Sequence, residues 1–242
     1  MRAKEIQARK ERILAITVDQ YIRTVTPVSS SIIATRYPSD LSSATVRHIL
    51  AELEEEGLLT HPHTSAGRIP TQRGYRYYVD HLMHEIRLLE EEKKRIKEEY
   101  KQASDELERL MDRTSKILSD ATQYTSIIAI DGHDKVYCRG INYIVTYSDY
   151  QDLRKIEAIL SALEEKEKLL GVINKELATR INIFIGEEMR LREMEDCSIV
   201  VSKFQTRQGP SGRMAVLGPT RMQYDRVVST LDYLGNLLEE MF

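Results

Sequence analysis

The sequence predicts an α+β protein, because the apolar pattern changes once along the chain. Up to about residue 121 apolar residues recur mainly at helical spacing, with breaks at residues 24–27, at residues 37–41 and at a short hairpin over residues 58–70. From Thr125 onward the pattern becomes a series of short apolar runs, which are typical of strands, with two amphipathic helices between and after them. We therefore expect a helical N-terminal part followed by a sheet flanked by helices.

Composition sets broad limits on the class of protein. The 242 residues are 41% hydrophobic, which suffices for one large domain or two smaller ones with ordinary packed cores. The net charge is −3, yet residues 1–80 carry 11 Lys and Arg against 9 Asp and Glu, so a slight basic bias lies at the N-terminal end. No apolar run could span a bilayer and the first residues are charged, so we expect a cytoplasmic protein. Cys138 and Cys197 are too few for a disulfide framework and are expected to be small core residues.

Three helices are expected before residue 57. Leu14 and Val18 indicate the first helix, from residue 3 to about residue 23. A short second helix ends before Pro38, which cannot continue it, and a third begins near residue 43. Two short helices joined by a turn predict a helix-turn-helix, in which the later helix enters the major groove of DNA.

The third helix has an apolar stripe made by Val46, Ile49, Leu50 and Leu53, and Gly57 is suited to end it. A serine at its N-terminus can cap the free backbone N–H groups. The opposite side carries small or hydrogen-bonding residues that could read base edges. The predicted DNA-binding residues of this helix are Ser42, Ser43, Thr45, Arg47 and His48.

A hairpin follows, with residues 58–63 pairing with residues 67–70 through a turn containing serine and glycine. We interpret it as a wing, and the next helix is expected to present its N-terminus to a phosphate. The predicted DNA-binding residues here are His61, His63, Thr64, Ser65, Arg68, Thr71 and Arg73. A polar helix face is often merely solvated and such a hairpin is often only a turn, but the order of these elements favours DNA binding.

Residues 82–121 repeat apolar or aromatic side chains at alternating steps of four and three, with only Lys93 and Thr114 as exceptions. This heptad predicts a helical linker that at least partly joins two subunits, although the stripe could instead pack on its own chain. The residues assigned to the dimer seam are Leu82, Ile86, Leu89, Ile96, Leu107, Leu110 and Ile117.

The C-terminal part contains five predicted strands and two predicted helices. The strand sequences are TSIIAI, KVYCRGINYIV, INIFIG, CSIVVSKFQ and GRMAVLG, and GPSG is expected to form a hairpin turn. One helix is predicted from residue 153 to about residue 169, and another over residues 224–241.

Several motifs closely resemble the bacterial heat-inducible transcription repressor family HrcA. They are DLSSATVR (40–47), LAELE (50–54), GLL (57–59), PHTSAGRIPT (62–71) and GYR (74–76), and near the other end IGEE (185–188), DCS (196–198) and VLGPTRM (216–222). The resemblance therefore covers both ends of the chain.

The resemblance implies a winged helix-turn-helix over residues 1–80, a helical linker over residues 81–122 and a GAF-like domain over residues 123–242. It also implies a dimeric repressor of chaperone operons that binds the inverted repeat called CIRCE, with the chaperonin GroEL as a further partner. Three features depart from the family: Ser29–Ser31 replace a glycine and a basic residue, His48 replaces a commoner asparagine, and only four residues separate Ile130 from Lys135 where full-length members carry an inserted segment.

No phosphate-binding loop, nucleophile elbow or catalytic carboxylate pair stands in a suitable context, so we expect neither an enzyme nor a cofactor. His61, His63, His81 and His84 do not have the companions that a closed metal site requires. The alternative to a heat-shock repressor is a winged-helix regulator controlled by a small ligand or metal bound to the C-terminal domain.

Overall fold

The computed structural model describes residues 2–36, 41–62, 67–84, 88–101, 107–133, 135–147, 152–174, 179–206 and 210–241. The chain divides into two compact units, Met1–His84 and Glu85–Phe242. Helices and antiparallel strands make up both units, which confirms the mixed helix-and-sheet class. No described helix combines the length and the apolar composition needed to cross a bilayer.

The first unit contains helices and one short pair of strands. Its elements are α1 (Arg2–Thr24), α2 (Ser30–Arg36), α3 (Ser43–Glu55), β1 (Leu59–Thr60), β2 (Ile69–Pro70) and α4 (Gln72–Tyr77), followed by a π-helical turn over Tyr78–Leu82. Both α1 and α2 pack against α3. Leu14 and Val18 of α1 and Ile33 of α2 are buried with the apolar stripe of α3, so the periodicity that predicted these helices also forms their common core.

The second unit is built on one sheet. Its elements are α5 (Glu90–Lys101), α6 (Leu107–Thr122), β3 (Thr125–Ile130), β4 (Val136–Arg139), α7 (Asn142–Thr146), α8 (Leu153–Glu164), α9 (Lys166–Ile173), β5 (Ile181–Ile185), β6 (Cys197–Gln205), β7 (Ser211–Pro219) and α10 (Tyr224–Met241). The strands lie in the order β4-β3-β7-β6-β5 and every neighbouring pair is antiparallel.

Both faces of the sheet are covered, because successive side chains of a strand point to opposite faces, and all six residues of β3 and the first six residues of β6 are buried. Ile199 and Val201 of β6 pack with Ile159 of α8 and Leu169 of α9. The alternate residue Val200 is also fully buried, and α10 packs against β6. The antiparallel pairing of Gln205 with Ser211 agrees with the predicted hairpin between the last two strands, but Ser211 and Gly212 of the expected turn GPSG belong to β7.

Two predictions for this unit are corrected. The run KVYCRGINYIV was expected to be one strand, but β4 ends at Arg139 and α7 begins at Asn142. Gly140 lies between them with a φ of +77°, a left-handed conformation that ends the extended strand. The helix expected over residues 153–169 is two helices, α8 and α9, which are separated at Glu165.

The predicted linker segment contains α5 and α6, and the helical path before them is interrupted at Met83, whose backbone is extended. Beyond it, α5 and α6 pack within the second unit. Ile96, Leu110 and Ile117 are each less than one-tenth exposed in the single chain, so they are not available for an intermolecular seam. Leu82 and Leu107 are half-buried and Leu89 is 68% exposed, whereas Ile86 lies outside the described residues.

Candidate nucleic-acid interface

Helix α3 is fixed at both ends by the residues that the sequence indicated. The side chain of Ser42 accepts a hydrogen bond from the backbone N–H of Thr45 at 3.2 Å and so caps the N-terminus. Gly57 has a φ of +72°, the left-handed conformation that follows many helices. Val46, Ile49, Leu50 and Leu53 are buried, which confirms the predicted stripe.

The first two turns of α3 present an exposed polar face made by Thr45, Arg47 and His48. Within the described part of the chain, no carboxylate forms an ion pair with Arg47. His48 contacts Glu52 at 3.1 Å, but its side chain remains 77% exposed. Ser43 is less accessible, because its hydroxyl lies 3.2 Å from that of Ser30. Arg47 and His48 are therefore the long side chains of this face that can reach outward.

The last turns of α3 are acidic, and α1 partly neutralises them. Lys10 contacts Glu52 at 2.7 Å and Glu56 at 2.8 Å. The pKa of Lys10 is raised, mainly by its hydrogen bond to Glu52 and next by its hydrogen bond to Glu56. The hydrogen bond from Lys10 lowers the pKa of Glu52, so both partners favour their charged forms. Because carboxylates repel phosphates, the end of α3 that suits a nucleic acid is its N-terminal half.

The hairpin is joined to the segment before α2. Leu59 pairs with Pro70 in the two-stranded sheet. Beside it, Val28 and Arg68 exchange backbone hydrogen bonds of 2.9 and 2.8 Å. The predicted tip residues His63, Thr64 and Ser65 lie outside the described residues.

Arg68, a predicted DNA-binding residue, forms an ion pair within the protein. Its Nη2 lies 2.6 Å from Oε2 of Glu54, and its side chain is only 24% exposed. The other carboxylate oxygen of Glu54 contacts Nδ1 of His61. Burial acts to raise the pKa of Glu54, but the hydrogen bond from His61 and the charge of Arg68 outweigh it, so the pKa is lowered overall.

Thr71 caps α4 as predicted, although its hydroxyl is already engaged. It accepts a hydrogen bond from Gly74 N at 3.0 Å and donates one of 2.7 Å to the carbonyl oxygen of Gly57. A phosphate contact from this hydroxyl would have to break the second bond. Arg73 is exposed and lies close to Gly57, since a Cβ added to that glycine would be 3.0 Å from Nη1 of Arg73.

The residues that the sequence did not indicate are Lys10 and Glu54. Glu54 occurred only within a family motif, and Lys10 was given no role. Their roles depend on contacts across 7 to 46 positions of sequence, for which residue spacing gives no signal. The described residues include no group of three or more His, Cys, Asp or Glu side chains placed to hold a metal ion.

Fold and site together define a class of protein in which a helical unit with a polar-faced helix and an anchored hairpin precedes an antiparallel sheet unit. A family model described as the HrcA protein C-terminal domain matches residues 78–228. The chain belongs to the HrcA family.

Curated relatives match along nearly the whole chain. The heat-inducible transcription repressor HrcA of Carboxydothermus hydrogenoformans is 28% identical over 335 aligned positions, covering 98% of this chain and 98% of the relative. The protein of the same name from Symbiobacterium thermophilum is 27% identical over 336 positions, again covering 98% of each chain. Since 335 positions exceed the 242 residues of this chain, at least 93 of them fall opposite gaps in it.

The overall fold also matches a solved structure. The crystal structure of a hypothetical protein, solved at 2.2 Å resolution, superposes with a TM-score of 0.75 and is 18% identical in sequence. The match covers 96% of this chain and 97% of that chain.

Proposed function

We propose that this protein is a sequence-specific DNA-binding repressor of heat-shock operons, which binds an inverted-repeat operator of the CIRCE type as a homodimer. The observation that carries the proposal is the exposed face of α3, where Arg47 and His48 project from a capped helix beside an anchored hairpin. The names of the relatives, heat-inducible transcription repressors, support the regulatory part of the proposal. A protein that acts on chromosomal DNA in a bacterium works in the cytoplasm.

In this proposal residues 1–80 form a winged helix-turn-helix. Helices α2 and α3 are its two helices, and β1 and β2 form the wing. Thr45, Arg47 and His48 read base edges in the major groove, because long hydrogen-bonding side chains at the start of a recognition helix can reach them. Ser42 and Ser43 hold the helix end that approaches the backbone, and Arg73 supplies a phosphate contact.

The wing carries the second part of the interface. His63, Thr64 and Ser65 are the residues proposed to touch the DNA from its tip, with His61 at its base. Arg68 forms an ion pair with Glu54, so a phosphate contact from Arg68 is weaker than one from an unpaired arginine.

Two copies are proposed because an inverted repeat presents two equivalent half-sites. Residues 123–242 form the GAF-like domain, whose antiparallel sheet has helices packed on both faces. Ala129 pairs with Val136 across the short β3–β4 connection, where the family's inserted segment is expected, and the gaps in the alignments support its absence. Dimerisation then uses another surface, to which the segment 81–122 contributes only through accessible residues such as Leu89.

Family membership also supports the chaperonin GroEL as a partner that helps to keep the repressor active. The coupling is open to a direct test, because addition of GroEL to the purified protein should increase the fraction that binds operator. If the fraction that binds operator is the same with and without GroEL, GroEL is not a partner of this protein.

The alternative is a regulator controlled by a small ligand in the second unit. A cleft of about 480 Å³ there is lined by charged residues that include Arg180, Arg213 and Glu239. These charges contact other protein groups: Arg213 lies 2.9 Å from Asp131, and Arg180 lies 3.3 Å from Glu239. Because these charges are already paired, the cleft does not indicate a particular ligand. We therefore favour the first proposal, a repressor without a bound cofactor.

The proposal is tested by fluorescence anisotropy with three labelled duplexes: the CIRCE inverted repeat, a single half-site and a scrambled duplex of equal length. A dimeric repressor should bind the full repeat far more tightly than the half-site, and the half-site more tightly than the scrambled duplex. Sedimentation of the free protein at micromolar concentration should give a dimer. Equal affinity for all three duplexes, or a monomer that binds the full repeat and half-site alike, would overturn the proposal.

A further inference from the structure

Glu54 bridges the two arms of the hairpin from the C-terminal end of α3. One carboxylate oxygen contacts His61, which directly follows β1, and the other contacts Arg68, which directly precedes β2. The Glu54 side chain is 25% exposed, so its pairs are less screened by solvent than those of a fully exposed carboxylate. A single side chain therefore ties both ends of the hairpin to the helix that carries Arg47.

Arg68 is held at two levels. Its backbone exchanges hydrogen bonds with Val28, and its guanidinium group donates to Glu54. Its Nε is buried without a hydrogen-bond partner among the described residues, so the guanidinium group is not placed to satisfy all of its own donors. These contacts hold the hairpin in one position, and they also leave the positive charge of Arg68 paired.

We propose that Glu54 is a positioning residue for operator specificity: it fixes the wing relative to the recognition helix and masks the charge of Arg68 from DNA of any sequence. This inference rests on the proposed DNA-binding function. Specific binding needs helix and wing to meet one duplex in a single relative orientation, whereas non-specific binding depends mainly on the number of available cations. One carboxylate thus raises the ratio of specific to non-specific affinity in two ways.

The variant E54Q separates these effects with little change of shape. Glutamine replaces one carboxylate oxygen with an NH₂ donor and removes the negative charge, so the ion pair with Arg68 and one of the two oxygen contacts are lost. We expect affinity for the inverted repeat to fall about fivefold and affinity for a scrambled duplex to rise about threefold. The dependence of scrambled-duplex binding on salt should steepen by about one unit, because one more cation becomes available.

Glu55 provides a matched control. It lies next to Glu54 in the same helical turn, is exposed and has no ion pair within the described part of the chain. E55Q removes the same formal charge, so it should change affinity for both duplexes by one common factor. If E54Q and E55Q give the same ratio of affinities and the same salt slope, the inference is wrong.

A double variant tests whether the released charge belongs to Arg68. R68A made in E54Q should return the affinity for the scrambled duplex and its salt slope to about the wild-type values, because it removes the cation that E54Q releases. A double variant that keeps the affinity and the salt slope of E54Q would show that Glu54 does not mask Arg68. Thermal melting of each variant separates loss of binding from loss of folding.

Hydrogen exchange without DNA keeps this inference distinct from the proposed function. The amides of Val28 and Arg68 should exchange faster in E54Q than in E55Q, since the hairpin loses its tie to α3. Equal exchange would contradict the positioning role even if the chain binds its operator. A wild-type chain that binds no duplex would instead overturn the proposed function, whatever the exchange rates.

Discussion

A carbon atom added to Gly67 would lie 2.5 Å from the carbonyl carbon of Val28, closer than two such atoms can approach. The base of the hairpin therefore packs directly on the backbone of the segment before α2, beside the bridge between Val28 and Arg68. The sequence alone attributed Gly67 to turn formation, but the close approach to Val28 gives a second and stronger reason for glycine.

G67A should therefore destabilise the first unit. Relief of the clash requires movement of the hairpin or of the Val28 segment, at a cost of about 1 to 3 kcal/mol. Differential scanning calorimetry should record a lower melting temperature for the transition of this unit. G171A is the control, because no described atom outside its own helix backbone lies within 4 Å of a Cβ added at that helical glycine. Equal stability of G67A and the wild type would contradict the close packing.

The burial of α6 gives a second prediction. Ile117 is 3% exposed, so I117A should reduce the free energy of unfolding by about 2 to 5 kcal/mol in a urea titration. L89A removes a side chain that is 68% exposed and should change the same quantity by less than about 0.5 kcal/mol. If I117A has wild-type stability but a changed oligomeric state, Ile117 belongs to an intermolecular seam and not to the core of its own chain.

Arg47 gives a third prediction, about specificity. R47A should weaken binding to the preferred operator by about 1 to 3 kcal/mol and leave thermal stability unchanged, because the side chain is exposed. R154A removes the same charge from an exposed position of α8 and should not change the preference between operator and scrambled DNA. Equal losses of R47A on operator and scrambled DNA would make Arg47 a phosphate contact.

Cys138 gives a fourth prediction, based on its protonation. Burial raises the pKa of its thiol from 9.0 to about 11, although the charge of Arg139 acts in the opposite direction. The thiolate is the reactive form, so the rate of alkylation by iodoacetamide should rise about tenfold per pH unit from pH 7.5 to 9.5 without a plateau. The measurement uses a C197S background, in which Cys138 is the sole cysteine. A plateau near pH 9 would contradict the shift.

The sequence predicted much of the fold, because short-range periodicity and end signals determine individual elements. The caps at Ser42 and Thr71, the left-handed Gly57 and the stripe of α3 all follow from local spacing. The partner of an apolar stripe does not follow from spacing. The seven-residue repeat through Ile117 suits a second subunit and a neighbouring sheet equally well, and only the fold assigns it to the sheet.

The candidate site was predictable to a similar extent. The exposed face with Arg47 follows directly from the buried stripe on the other side of α3. The ion pair of Arg68 does not, because the sequence gives no sign that Glu54 of α3 lies beside the hairpin. Long-range ion pairs of this kind decide which cations are free for DNA.

The most direct test of DNA binding is selection from a library of random duplexes by the purified full-length protein, followed by sequencing of the bound fraction. We expect enrichment of an inverted repeat whose two half-sites share one sequence and a fixed spacing, with the preferred bases altered in an H48N variant. A bound fraction with the same sequence distribution as the starting library would contradict sequence-specific binding, and enrichment of a lone half-site without symmetry would contradict the dimeric operator.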